Sequence, residues 1–168
     1  MAIMKQSLSL DGAKLQTSSF PGMMGTQGTN FPLVGQYAFD GTSTERLFLR
    51  FQAINYASGN ITVTIGWYAA TATSGNIVWE TALAAMTPNT DSASWEAKAF
   101  ATVNTATDSH LGTTAQRPHS IDVTVSNLDS IADGDWAVLR VSRLPADAGD
   151  TMSGDAVLVS VDISYTST

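Results

Sequence analysis

The sequence predicts an all-β protein, an antiparallel β-sandwich of about eight strands with an extended N-terminal arm. Three observations point there. Charged residues make up only 14% of the 168, well below the roughly 25% of an average soluble domain, while Thr, Val and Ser are plentiful. That composition suits pleated, half-buried surfaces better than amphipathic helices. Second, apolar side chains recur at every other position in run after run, the period of a strand with one face buried. Third, the runs are separated by Asp40-Gly41, Ser58-Gly59-Asn60, Ser74-Gly75-Asn76, Asp133-Gly134-Asp135 and Ser153-Gly154-Asp155, all of them turn-forming words.

Taken in order, residues 1–35 read as an arm. MKQSLSLDGAKL has the pattern of one short strand, and SSFPGMMGTQGTNFPL has no periodicity. Phe20, Met23, Met24 and Phe31 are more apolar than a solvated tail requires, so the arm is expected to pack on its own domain or on a neighbour. Residues 36–168 form the sandwich domain. Six strands are clear: Leu47 to Ala53, Ile61 to Trp67, Ile77 to Thr81, Ile121 to Val125, Ala137 to Val141, and Val157 to Tyr165. Weaker alternation marks Gln36 to Phe39 and Ser94 to Thr102. Ala82, Leu83, Ala84 and Ala85 suit one helical turn, and Thr102 to Pro118 reads as a long loop. Eight or so strands with these turns close most naturally as a sandwich.

The bulk properties narrow the partners. A net charge of −7, with Lys5, Lys14, Arg46, Arg50, Lys98, Arg117, Arg140 and Arg143 scattered along the chain, opposes nucleic acid and anionic membrane. No cysteine is present, which removes disulfides and thiolate metal sites. The first twenty residues lack the apolar run of a secretory signal, and no stretch is long enough to span a bilayer, so synthesis in the cytoplasm is expected.

Catalytic patterns are weak. Asp108, Ser109 and His110 are the residue types of a hydrolytic triad, but immediate neighbours in a chain do not converge as triad members must. His110 and His119 give a faint zinc hint, and Asp147, Asp150 and Asp155 in a glycine-containing turn suit a hard cation without the spacing of a calcium loop. Glu45, Glu80 and Glu96 fall on strand faces that read as exposed, and nothing pairs two of them as acid and base. No enzyme activity, cofactor or metal is therefore expected. Among the aromatics Trp67, Tyr68, Trp79, Trp95 and Trp136, the inward register places Trp67 and Trp79 in the core. Tyr68 and Trp95 are left as the candidates for ligand contact.

Several segments carry a resemblance: Trp67-Tyr68-Ala69, the Thr-Ala-Thr-Ser-Gly-Asn turn, Trp79, the loop from Thr107 to Thr114, Asn127-Leu128-Asp129, Leu139-Arg140-Val141 with Arg143, and the acidic turn Asp147 to Asp155. Together they resemble structural proteins of tailed bacteriophages, over about two thirds of the chain. The resemblance implies a jelly-roll sandwich on a virion surface, with no catalytic role. It implies a capsid decoration (cement) protein that binds the outside of the assembled head, with the major capsid protein and copies of itself, as a homotrimer, for partners. Phe20, Met23, Met24 and Phe31 would make those contacts. The alternative is a glycan- or receptor-binding β-sandwich module of a phage tail fibre or appendage, working through Tyr68, Trp95 or the loop 102–118.

Overall fold

A computed structural model describes residues 1–24 and 36–168, and it is a sandwich of two antiparallel sheets. Its strands are β1 (Ala2–Leu8), β2 (Lys14–Leu15), β3 (Gly22–Met24), β4 (Gln36–Phe39), β5 (Arg46–Gln52), β6 (Tyr56–Ala69), β7 (Asn76–Met86), β8 (Asn104–Ser109), β9 (His119–Val125), β10 (Trp136–Arg143) and β11 (Ala156–Ser167). One sheet runs β3-β4-β11-β6-β9, with β1 paired to β11 beside β4; the other runs β2-β5-β10-β7-β8. From β4 to β11 every connection except β7 to β8 crosses from one sheet to the other. That repeated crossing is the winding of a jelly roll.

The alternation in the sequence is the alternation of the core. Ile61, Val63, Ile65 and Trp67 of β6 face Leu47 and Leu49 of β5, Trp79 and Leu83 of β7, and Leu139 and Val141 of β10 across the interior, all of them nearly inaccessible to water. Trp67 and Trp79 belong to this core, as their register predicts. Their rings meet edge to face with centroids 6.5 Å apart, and Phe39 meets Trp79 the same way at 5.2 Å. The two tryptophans sit on strands of different sheets, so the small-residue turn between them carries the chain across the sandwich. Gly75 makes that crossing possible: its φ is +99°, and a Cβ there would lie 2.7 Å from the Met152 Cα.

The structure departs from the sequence reading in five places. Residues 2–24 of the expected arm supply strands: β1 pairs with β11 from Ala2↔Ser167 to Leu8↔Val161, β2 extends β5, and β3 extends β4. The Ser58-Gly59-Asn60 word lies inside β6, where Gly59 at φ +84° accommodates a shift in register against β11. The alanines around Leu83 continue β7 to Met86 rather than turn as helix. Ser94 to Thr102 is not a strand but a single 3-10 turn, Trp95–Ala97, with extended chain after it. And the expected long loop holds β8, an edge strand on β7 built from Asn104-Thr-Ala-Thr-Asp-Ser.

Candidate functional site

The outward face of the β2-β5-β10-β7-β8 sheet is assembled by strand register. Residues opposite one another form rows across it: Gln52, Trp136 and Met86; then Arg50, Val138 and Ala84; then Lys14, Phe48, Arg140 and Ala82; then Arg46, Ser142, Glu80 and Thr105. The segment after β7 folds back along this face. Ala101 donates its backbone N–H to the Leu83 carbonyl at 2.8 Å, and Phe100 packs on Phe48 with ring centroids 5.8 Å apart. The Arg140 guanidinium lies 5.3 Å over the Phe100 ring and is held by Glu80 at 2.9 Å. Glu80 is thus a buried partner of Arg140, contrary to its expected exposure. Lys98 is tied to Asp129 at 2.9 Å, and Asp129 also accepts the Ala85 N–H.

Between that returning segment and β5 lies a groove. Its floor is Ala84, Met86 and Val138, and Trp95, Glu96, Lys98 and Phe100 enclose a hollow of about 240 Å³ on one side. Two further hollows adjoin it, both bordered by Arg50, Trp95 and Trp136. Trp95 is 46% exposed and Trp136 54%, and their rings meet edge to face at 6.3 Å and 83°. Two half-exposed indoles in contact above an apolar floor make a contiguous apolar patch of the kind that marks interaction sites.

Of the residues singled out from sequence, Trp95 falls in this groove. Tyr68 does not. It lies on the outward face of the other sheet, half-buried, with its hydroxyl 3.0 Å from the Gln36 side-chain oxygen, and burial pushes its phenol up. Phe20 and Met23 are exposed around β3, at the margin of that other sheet; Met24 is half-buried, and Phe31 lies outside the described residues. Sequence reasoning counted Trp136 among the aromatics without choosing it. Its signal was legible, since it stands one position before Ala137, Leu139 and Val141 and so on the outward register. Arg50, Met86 and Phe100 were missed, because only the folded-back segment brings them together.

The histidines form a separate buried cluster. Trp67 Nε1 donates to Asp108 Oδ2 at 2.9 Å, His119 stacks on the Trp67 ring at 4.3 Å, and His110 lies 4.9 Å from His119. Ser109 points the other way and donates to Asn76, so the three triad residue types do not converge. Nor does the pair suit zinc. His110 Nδ1 accepts the Gly112 N–H at 2.9 Å, which keeps the ring proton on Nε2 and leaves no lone pair there for a metal. Among the described residues no three His, Cys, Asp or Glu side chains are placed to hold a metal ion. In the acidic turn, Asp150 is committed to Arg143 and to the Val78 N–H.

His119 is expected to make the stability of the fold depend on pH. Burial holds its pKa below the usual 6.5; His110 and Arg117 add to the effect, and the Asp108 carboxylate opposes it. As pH falls through about 6.5 the unfolded chain takes up the proton first, so stability present at higher pH is progressively lost below that value. Thermal unfolding at about pH 7.5 and about pH 5.5 is expected to show a drop in Tm for the native chain that is smaller in His119→Phe, which keeps the stack on Trp67. Equal drops would show that other groups carry the acid sensitivity.

No family model matches the chain, and no curated protein matches it. Solved structures do. A carbohydrate-binding module specific for non-crystalline cellulose superposes with a TM-score of 0.54 at 12% identity, over 89% of this chain and 86% of that one. The xylan-binding domain CBM22-1 of Paenibacillus barcinonensis Xyn10C gives a TM-score of 0.40 at 10% identity, over 94% and 91%. A family 11 carbohydrate-binding module from Clostridium thermocellum gives 0.39 at 9%, over 96% and 87%. At 12% identity the first of these likenesses is one of fold, and the chain shares with that cellulose-binding module the two-sheet β-sandwich described above.

Proposed function

We propose that this chain is a non-catalytic glycan-binding β-sandwich module whose ligand lies in the Trp95–Trp136 groove. The observation that carries the reading is the pair of half-exposed indoles over Ala84, Met86 and Val138, with Arg50, Lys98 and Glu96 at its margins. The C–H faces of sugar rings stack on indoles, while their hydroxyls need donors and acceptors beside the ring, and this groove offers both. Because the two rings stand at 83°, they cannot lie flat on one plane together. A single soluble chain fits such a groove, whereas the flat face of a crystalline array does not. The sandwich shared with a module that binds non-crystalline cellulose supports the reading at the level of fold.

The test is binding to a panel of soluble polysaccharides by affinity electrophoresis and calorimetry. Trp136→Ala and Trp95→Ala are each expected to weaken binding about tenfold or more, as loss of a central aromatic contact does. Tyr68→Ala, on the opposite sheet, is expected to leave it unchanged. Full binding by both tryptophan variants would place the ligand elsewhere.

A second reading, decoration of a phage capsid by a homotrimer, draws on the exposed side chains of Phe20 and Met23 beside the outer sheet margin, which suit a protein contact. Replacing both by Ser is then expected to release the protein from purified particles and lower their heat resistance. Unchanged occupancy would remove that role from these residues.

A further inference from the structure

We infer that the groove selects anionic, carboxylate-bearing glycans, with Arg50 as the residue that recognises the uronate carboxylate. This rests on the glycan-groove reading and deepens it. The chain carries a net charge of −7, yet five of its eight cations, Lys14, Arg46, Arg50, Lys98 and Arg140, belong to this one sheet face and the segment folded over it. Two of the five are already neutralised at close range, Arg140 by Glu80 and Lys98 by Asp129. Arg50, Arg46 and Lys14 have no carboxylate within ion-pair distance among the described residues. They occupy successive rows along the β2–β5 margin, and Arg46 and Arg50, four residues apart on one strand face, stand roughly 13 Å from each other.

Arg50 is the member of this strip that borders the aromatic pair, in both of the hollows that hold Trp95 and Trp136. Arg140 shows what a structural arginine looks like on this face: one carboxylate partner and one aromatic ring beneath it. Arg50 has neither among the described residues, so its planar fork of donors is available to a ligand. A guanidinium beside a stacking ring recognises a pyranose that carries a carboxylate, since the ring stacks while the carboxylate accepts two parallel N–H bonds. Of the acids near it, Asp91 shares one hollow with Arg50 but accepts the Thr87 N–H at 2.8 Å and is not within ion-pair distance of the guanidinium, and Glu96 lines the hollow that Arg50 does not border.

The experiment pairs each of several uronate polysaccharides, polygalacturonate, alginate and hyaluronate, with its own carboxyl-reduced form, which keeps backbone and linkage but loses the charge. Heparin serves as the sulfate arm. The full chain is expected to bind at least one native uronate chain about tenfold more tightly than its reduced form, with the preference shrinking as salt rises. Arg50→Gln is expected to erase the preference by weakening the native form far more than the reduced one, and Trp136→Ala to weaken both forms together. Binding of neutral forms with no preference, a preference that survives Arg50→Gln, or binding of heparin alone would overturn the carboxylate assignment and leave the groove standing. Absence of binding to every native and reduced chain would also overturn the carboxylate assignment, while the groove reading would fall only if the neutral polysaccharides of the wider panel went unbound too.

Discussion

Replacing Arg143 by Met is expected to destabilise the protein by about 3–5 kcal/mol, read as a shift in the midpoint of urea unfolding at neutral pH. The residue ends β10 in the inward register set by Ala137, Leu139 and Val141, and its side chain is wholly buried. It survives there because every donor that matters is engaged. Nε and Nη2 make a fork to the two oxygens of Asp150 at 3.0 and 2.9 Å, and Nη1 and Nη2 donate to the carbonyls of Gly154 and Met152, each at 2.6 Å. Methionine fills much of the volume and leaves the Asp150 carboxylate, whose side chain is 2% exposed, as a buried charge without a counterion. A domain whose whole stability is about 5–15 kcal/mol has little margin for that. Exchanging both partners, Arg143→Met with Asp150→Leu, is expected to recover part of the loss, with the remainder reflecting the unpaired carbonyls and the Val78 N–H. A single variant that costs less than about 1 kcal/mol would mean the pair is replaceable by packing alone.

Removing a core indole is the second large effect, and the two tryptophans separate ring from polar atom. Trp79→Ala is expected to cost about 3–5 kcal/mol, because Trp79 is inaccessible to water and joins Phe39 to Trp67 across the sandwich. The milder change to Phe distinguishes the pair. Trp67 Nε1 donates to Asp108, and its ring carries His119, whereas Trp79 Nε1 is buried without a hydrogen-bond partner among the described residues. Trp67→Phe is therefore expected to lose roughly 1 kcal/mol more than Trp79→Phe. Denaturant curves of the two variants check this directly, and a reversed order would mean that the Trp67–Asp108 bond contributes nothing net.

Strands with one face in the core and one in water were legible in the chain. Ile61 to Trp67, Ile121 to Val125 and Ala137 to Val141 alternate because only one side of each is buried. The reading failed where that physical condition fails. Ala82 to Ala85 is covered on both sides, by the core and by the segment that carries Phe100, so no alternation was left to read and the small residues resembled helix. β8 is partly exposed on both faces and holds no large apolar side chain, so it looked like a loop. Arg143 stands two residues after Val141 and so on the inward register, and the acidic turn follows it, but that turn was weighed only against a hard cation, with no metal expected, and not as the arginine's partner. The groove was half legible. Trp95 and Trp136 stand out as outward aromatics, while Arg50 acquires meaning only when the segment after β7 lays Trp95 beside it.

The pairing of β1 with β11, in register from Ala2↔Ser167 to Leu8↔Val161, sets the order in which the molecule can be finished during synthesis. Of the described strands, the first in sequence has the last as its neighbour, and it is paired with no other. Until β11 emerges, β1, β4 and β6 lack the central strand they all share, and their edges are open to other chains. The sandwich therefore closes only once β11 is available, and a nascent chain stalled before Ala156 is a clear target for chaperones.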